Sequence, residues 1–260
     1  MIDLHSHVLP GIDDGPLTTD ESIALARACA DDGTRTLVAT PHLRHDFPAV
    51  RVEEIADRCR VLEEHLAGGE GSLEIVPAAE IDYEWAQTAT REELTLASYG
   101  QRGTDVLLET PYAPITVAFE GVLFRLARLG FRVVLAHPER NPTFQMDPSR
   151  LQALVRRGAL VQLTAGSLTE RGRRRPSARL AGRLLERGLA HVIASDAHTA
   201  ASWRQPDLSR GVAAAERIAP GLGEWMVTEA AAAILAGESL PAAPSGRRRR
   251  SLRLGRSRSL

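Results

Sequence analysis

Met1-Ile2-Asp3-Leu4-His5-Ser6-His7 opens the chain, and its reading decides the fold. A short apolar run over residues 2–4 has the make-up of a buried strand, and it stops on two histidines one residue apart. In an extended strand His5 and His7 project to the same side, so one cation can take both. The pattern then recurs. Further strand-like runs fall at 36–39, 73–77, 105–108, 132–136, 159–163 and 191–194. All but the 159–163 run lead directly into polar chemistry: Thr40-Pro41-His42, Ala79-Glu80, Glu109, His137-Pro138-Glu139-Arg140 and Ser195-Asp196-Ala197-His198.

Between the runs lie helical patterns at 20–30, 52–66, 116–129, 148–156 and 178–187, with two more at 208–218 and 228–235. Thr18, Thr19 and Asp20 are cap candidates for the first, and Gly33 follows its end. Alternating strand and helix is the signature of βα units around a parallel sheet. Seven such strands predict an α/β fold of the (β/α)7 barrel kind, with a doubly wound open sheet as the competitor. In a barrel the loops leaving the strands converge at one end, which brings residues far apart in sequence together.

Composition sets the frame. With 43% hydrophobic and 25% charged residues, 260 residues suffice for one large domain that buries a polar site without disulfides. Cys29 and Cys59 lie in helical patterns and read as core, consistent with a reducing, cytoplasmic setting. No run of about 18 apolar residues and no leader-like start is present, so secretion and membrane insertion are not expected. Residues 241–260 hold seven arginines and no acid, so the formal charge of −1 divides into +7 there and −8 on residues 1–240. An acidic body argues against a phosphate-backbone track, and hence against nucleic acid as partner. The reading is one domain over 1–240 and a disordered, solvated basic tail over 241–260.

Imidazole mixed with carboxylate suits Zn, Mn or Fe(II) better than Ca, which prefers oxygen alone. Asp14, Glu80, Glu109 and Asp196, with His5, His7, His42, His137 and His198, exceed what one ion can use, so two or three ions are implied. Buried without cations, those carboxylates would repel one another. Each piece alone has a plainer alternative. Residues 195–198 suit a turn cap, Asp13-Asp14-Gly15 a turn, and Glu80 and Glu109 suit ion pairs with arginine. Their recurrence at successive strand ends favours a multinuclear site. His65 and His191 stay outside it, and His45 is a candidate for substrate contact.

These motifs, Met1-Ile-Asp-Leu-His-Ser-His, Gly11-Ile-Asp-Asp-Gly, Thr40-Pro-His, Ala79-Glu, Ala136-His-Pro-Glu-Arg and Ala194-Ser-Asp-Ala-His, resemble the polymerase-and-histidinol-phosphatase (PHP) superfamily. Within it they look like the bacterial tyrosine-protein phosphatases encoded beside capsular and exopolysaccharide genes. The match runs in order over residues 1–237. The resemblance implies a distorted (β/α)7 barrel holding three divalent ions, Mn foremost, with Fe, Co or Zn as alternatives. It assigns His5, His7, Glu80 and Asp196 to one ion, with Glu80 bridging to a second that also uses Glu109 and His137. Asp14, His42 and His198 hold the third. Arg140 and Arg204 are matched to two phosphate-gripping arginines. In the reaction so expected, His198 or Asp196 is the candidate to protonate the leaving group. The implied substrate is a phosphotyrosine protein, the tail of an autophosphorylating tyrosine kinase. Histidinol phosphate, a nucleotide or a nuclease substrate is the alternative. The stretch between His198 and Arg204, the arginine run at 171–175 and the basic tail depart from the family pattern.

Overall fold

Each apolar run does become a strand, and the prolines among them explain where the count differs. The computed structural model describes residues 1–67, 73–169, 175–202 and 204–244. Among the described residues nine strands are present: β1 (Ile2–Ser6), β2 (Thr36–Ala39), β3 (His42–Leu43), β4 (Glu74–Pro77), β5 (Glu80–Ile81), β6 (Asp105–Glu109), β7 (Arg132–Ala136), β8 (Leu160–Thr164) and β9 (Val192–Ala194). They form two parallel sheets, β1-β2-β4 and β3-β5-β6-β7-β8-β9. The second and third expected strands are β2 and β4, and each is followed, past a break, by an unexpected two-residue strand, β3 and β5. Pro41 lies in the first break and Pro77 ends β4, where a missing N–H cannot continue the ladder. Backbone bonds carry the pairing past the breaks: Thr40 N–H to Ser6 O (2.8 Å), Ala78 N–H to Ala39 O (3.0 Å) and Glu80 N–H to Pro41 O (3.2 Å).

Strand order rises without the reversal of a doubly wound sheet. At the far edge the chain leaving β9 returns to β1, with Asp196 N–H bonded to His5 O and His7 N–H to Ala197 O, both at 2.9 Å. Every residue of β6 and β8 is buried, as expected of parallel strands covered on both faces. The covering layer includes the expected long helices. Thr19–Asp31 begins with a capping box between Thr18 and Glu21 and turns Leu25 and Cys29 inward. Cys29 and Cys59 are free and buried.

The stretch between β5 and β6 is helical where no helix was expected. Tyr83–Thr88 is capped by Asp82, and Arg91–Ala97 by a second capping box, Thr90 with Glu93. Residues 245–260 of the expected basic tail and residues 171–174 of the arginine run lie outside the described residues. Among the described residues no helix is long and apolar enough to cross a membrane.

Candidate metal centre

The nine imidazole and carboxylate residues picked from the strand ends come together, and eight of them are buried. Asp14, with 39% of its side chain exposed, stands at the rim. Three groups have one donor atom from each member within 4.8 Å of all the others: His5, His7 and Asp196; His42, Glu80 and Glu109; and His7, Asp14, His42 and His198. His137 joins through its Nε2, 3.0 Å from Glu80 Oε1. Glu80 lies at the middle, with Oε2 at 3.3 Å from His5 Nε2, 3.5 Å from His7 Nε2 and 3.0 Å from His42 Nδ1.

The local chain explains the convergence. The alternation of β1 aims His5 and His7 to one side. The Gly11–Gly15 loop then folds back onto the end of that strand. Gly15 permits the approach, because a Cβ there would meet His7 O at 2.2 Å. His137 and Asp196 leave their strands in the left-handed region, at φ 37° and 55°. Such a conformation costs a non-glycine residue about 1 kcal/mol or more, and it persists where the surroundings fix a side chain for function.

The hydrogen bonds behind the imidazoles fit a cation. Asp13 Oδ2 takes the Nδ1–H of His7 at 2.7 Å, and Gln162 Oε1 lies 3.0 Å from His5 Nδ1. Both bonds turn Nε2 inward, and the two Nε2 atoms face each other at 3.2 Å. Two lone pairs aimed at one point, beside a carboxylate oxygen, are what a shared ion demands. Donors about 2.1 Å from a common ion stand about 3 to 3.5 Å apart, which matches the spacings here. Glu80 Oε2, His42 Nδ1 and His137 Nδ1 are buried without a hydrogen-bond partner, and two of these three residues, Glu80 and His42, belong to the converging groups.

Charge supports the same reading. Burial would lower the His7 imidazole, but Asp13 and Glu80 push it up to about 10. That shift favours a second proton on the ring, which a cation at Nε2 would displace. Burial would raise Glu80, yet the imidazoles of His5 and His42 hold it well below the usual carboxylate range. Glu109 moves the other way, raised by burial and by the neighbouring Glu80 charge.

Both arginines reach this cluster. Arg140 Nη1 donates to Asp196 Oδ2 at 2.8 Å and to the Tyr112 hydroxyl at 3.3 Å. Glu139, its sequence neighbour, instead accepts the Thr164 N–H at 3.1 Å. Arg204 pairs with Asp14 Oδ2 at 2.7 Å and also touches His198. One arginine was not anticipated: Arg44 donates to both Glu109 oxygens, at 3.2 and 3.3 Å. The ion-pair alternative for Glu109 therefore holds in part, whereas Glu80 faces the imidazoles of His5, His7, His42 and His137. Asp13 and Gln162 were also missed as supports; a buried glutamine inside the apolar β8 run was the available signal. His45 is exposed at the edge of a cavity beside Glu109, and His65 is exposed on its helix. Burial pushes the Cys59 thiol up to about 12 and raises Cys29 well above its ordinary value, so neither serves as a thiolate nucleophile.

Known proteins share this architecture. Tyrosine-protein phosphatase YwqE of Bacillus subtilis is 36% identical over 204 residues, 76% of this chain and 77% of that protein. Tyrosine-protein phosphatase CpsB of Streptococcus pneumoniae is 30% identical over 76% of this chain and 83% of that one. A solved structure from work on YwqE and CpsB, described as unique metal-dependent tyrosine phosphatases, superposes with a TM-score of 0.80 at 29% identity. It covers 96% of this chain and 100% of its own. Residues 1–235 match the family model for capsular polysaccharide synthesis, CpsB/CapC, and the chain belongs to that family.

Proposed function

We propose that this chain is a metal-dependent phosphomonoesterase that removes phosphate from tyrosine in a protein substrate. The observation that carries the reading is the convergence of nine buried or rim donors, in excess of any one ion's need, with two guanidinium groups. In this reading the two sheets and the β9–β1 bonds make up a distorted (β/α)7 barrel. His5, His7, Glu80 and Asp196 hold one ion, Glu80, Glu109 and His137 a second, and Asp14, His42 and His198 a third. His42 stands between the last two sets, with Nδ1 toward Glu80 and Nε2 3.6 Å from Asp14. Manganese is the favoured metal, with Fe, Co or Zn as alternatives.

Divalent cations here supply Lewis-acid charge, which favours hydroxide from water near neutral pH and neutralises phosphoryl oxygens. The chain's own groups do the rest. Asp13 and Gln162 keep His7 and His5 in the tautomer that presents Nε2. Arg140 offers a planar fork to two phosphoryl oxygens, and its bond to Asp196 sets the angle of that fork. Arg204, in the loop after His198, grips from a second element. His198 or Asp196 holds the proton for the departing oxygen, a modest task when a phenolate leaves. The substrate is the tail of an autophosphorylating tyrosine kinase in the cytoplasm, a setting in keeping with capsule or exopolysaccharide production.

The test is phosphate release from a panel: a phosphotyrosine peptide, histidinol phosphate, a mononucleotide and single-stranded DNA. Chelation should abolish turnover of the peptide, and manganese should restore it. Full activity in verified metal-free protein would overturn the mechanism, and faster turnover of histidinol phosphate would overturn the substrate.

A further inference from the structure

Most large rings in this protein are buried or already engaged. Tyr99, Phe119 and Phe144 are in the core, and Phe47 stacks flat on His42 while the Arg44 guanidinium sits over its ring. Tyr112 differs. It is 59% exposed, three residues past Glu109, at the mouth of the metal cluster. Its ring lies 5.8 Å from that of His137 at 21°, and its hydroxyl accepts the Arg140 Nη1–H. Tyr112 also lines a cavity of about 440 Å³ that contains Arg44, His45 and Glu109 and so opens directly beside the centre.

We infer that Tyr112 selects aryl over alkyl phosphate esters by forming the wall on which the substrate's phenyl ring stacks. This rests on the phosphatase reading above. A phosphoryl group gripped by Arg140 sits next to the residue that Arg140 itself touches. The first carbon of the ester then lies beside the Tyr112 ring. An alkyl ester places a methylene there and little more, whereas a phenyl ester places a flat ring within stacking range. The hydroxyl has a separate task. It helps hold Arg140, which grips any phosphate equally. Ring and hydroxyl therefore predict different losses.

The test measures calorimetric Kd values of the full, manganese-loaded chain for phenylphosphonate and methylphosphonate, two probes that need no turnover. Tyr112→Leu keeps apolar bulk without a π face, and should lower the phenyl-over-methyl preference about threefold to tenfold, the range of one aromatic pair. Tyr112→Phe should keep that preference while weakening both probes together. Because Tyr112 is exposed, both variants should retain metal content and melting temperature. If Tyr112→Leu weakens both probes equally, the residue only positions Arg140 and the inference fails. It also fails if neither Kd changes. A wild-type chain inactive on the phosphotyrosine peptide would instead sink the phosphatase reading, a result separate from these binding ratios.

Discussion

The two ends of the strands treat buried charge in opposite ways. Where β6 and β7 begin, Asp105 and Arg132 face each other in register and pair side chain to side chain. Nearby, His191 Nδ1 accepts the Val161 N–H at 3.0 Å. Opposite charges there pair within the chain, although Arg132 Nη2 is itself buried without a hydrogen-bond partner. Where the strands end, five imidazoles and four carboxylates meet, and three of their buried atoms have no hydrogen-bond partner. Sequence separates the two ends by chemistry alone, because a strand has the same backbone at either end. The difference teaches that one end pairs opposite charges within the fold, while the other gathers donors of the kind that ligands complete.

The sharpest way to break that contrast is to remove a donor from the open end. His5→Ala takes one Nε2 from the middle of the cluster. It should lower turnover of a phosphotyrosine peptide by about a thousandfold or more, since metal charge is worth several kcal/mol in such transition states. Metal content, read by elemental analysis, should fall, while thermal unfolding of the apo form stays near wild type. A near-normal rate at unchanged metal content would show that the site is misplaced.

Arg140→Ala separates phosphate grip from metal assembly. Loss of one preorganised donor costs about 2 to 4 kcal/mol, or roughly thirtyfold to a thousandfold in rate. Metal content should hold, and Arg140→Lys should recover only part of the loss, because it keeps the charge without the fork. A loss that merely tracks missing metal would remove Arg140 from the phosphate-binding role.

Asp13→Asn tests the support behind a ligand. The amide is nearly the same shape but no longer carries the charge that holds the Nδ1–H of His7 at 2.7 Å. Outer partners of this kind typically contribute about tenfold to a hundredfold in metal affinity. Competition with a chromophoric chelator measures it, and an unchanged affinity would reduce Asp13 to a loop-forming residue.

Asp13 also shows where the sequence stops being legible. Seven strands and the long helices announce themselves through apolar runs and periodicity, and the ligands stand out as ionisable residues at the ends of buried strands. β3 and β5 do not, since two residues carry no period. The helices at Tyr83–Thr88 and Arg91–Ala97 are too short for a periodic signal, although the Thr90-to-Glu93 capping box was visible. Arg44, Gln162 and Tyr112 act by approach in space. Arg44 lies 65 residues from the Glu109 it holds, and Gln162 lies 157 from His5, so no local spacing connects them. Between the adjacent acids at 13 and 14, only the fold tells which backs a histidine and which stands at the rim.

The smallest effect belongs to the closed end, and it concerns stability. His191 is partly buried beside Arg132, and burial followed by that positive charge lowers its imidazole to about 4. An unfolded chain returns it to about 6.5. Between these values the unfolded state binds the extra proton, so acid favours unfolding. The contribution is therefore complete above about pH 6.5 and is lost as pH falls toward 4. The full shift would amount to about 3 kcal/mol, and partial exposure reduces it to about 1 to 2 kcal/mol. His191→Asn can still accept the Val161 N–H through its amide oxygen but cannot titrate. Urea midpoints of the apo protein at pH 7 and pH 5 should thus lie closer together in the variant than in wild type. Apo protein is needed because bound metal would add its own proton competition from the other end. Equal midpoint shifts in the two proteins would mean that His191 folds without a proton-linked penalty.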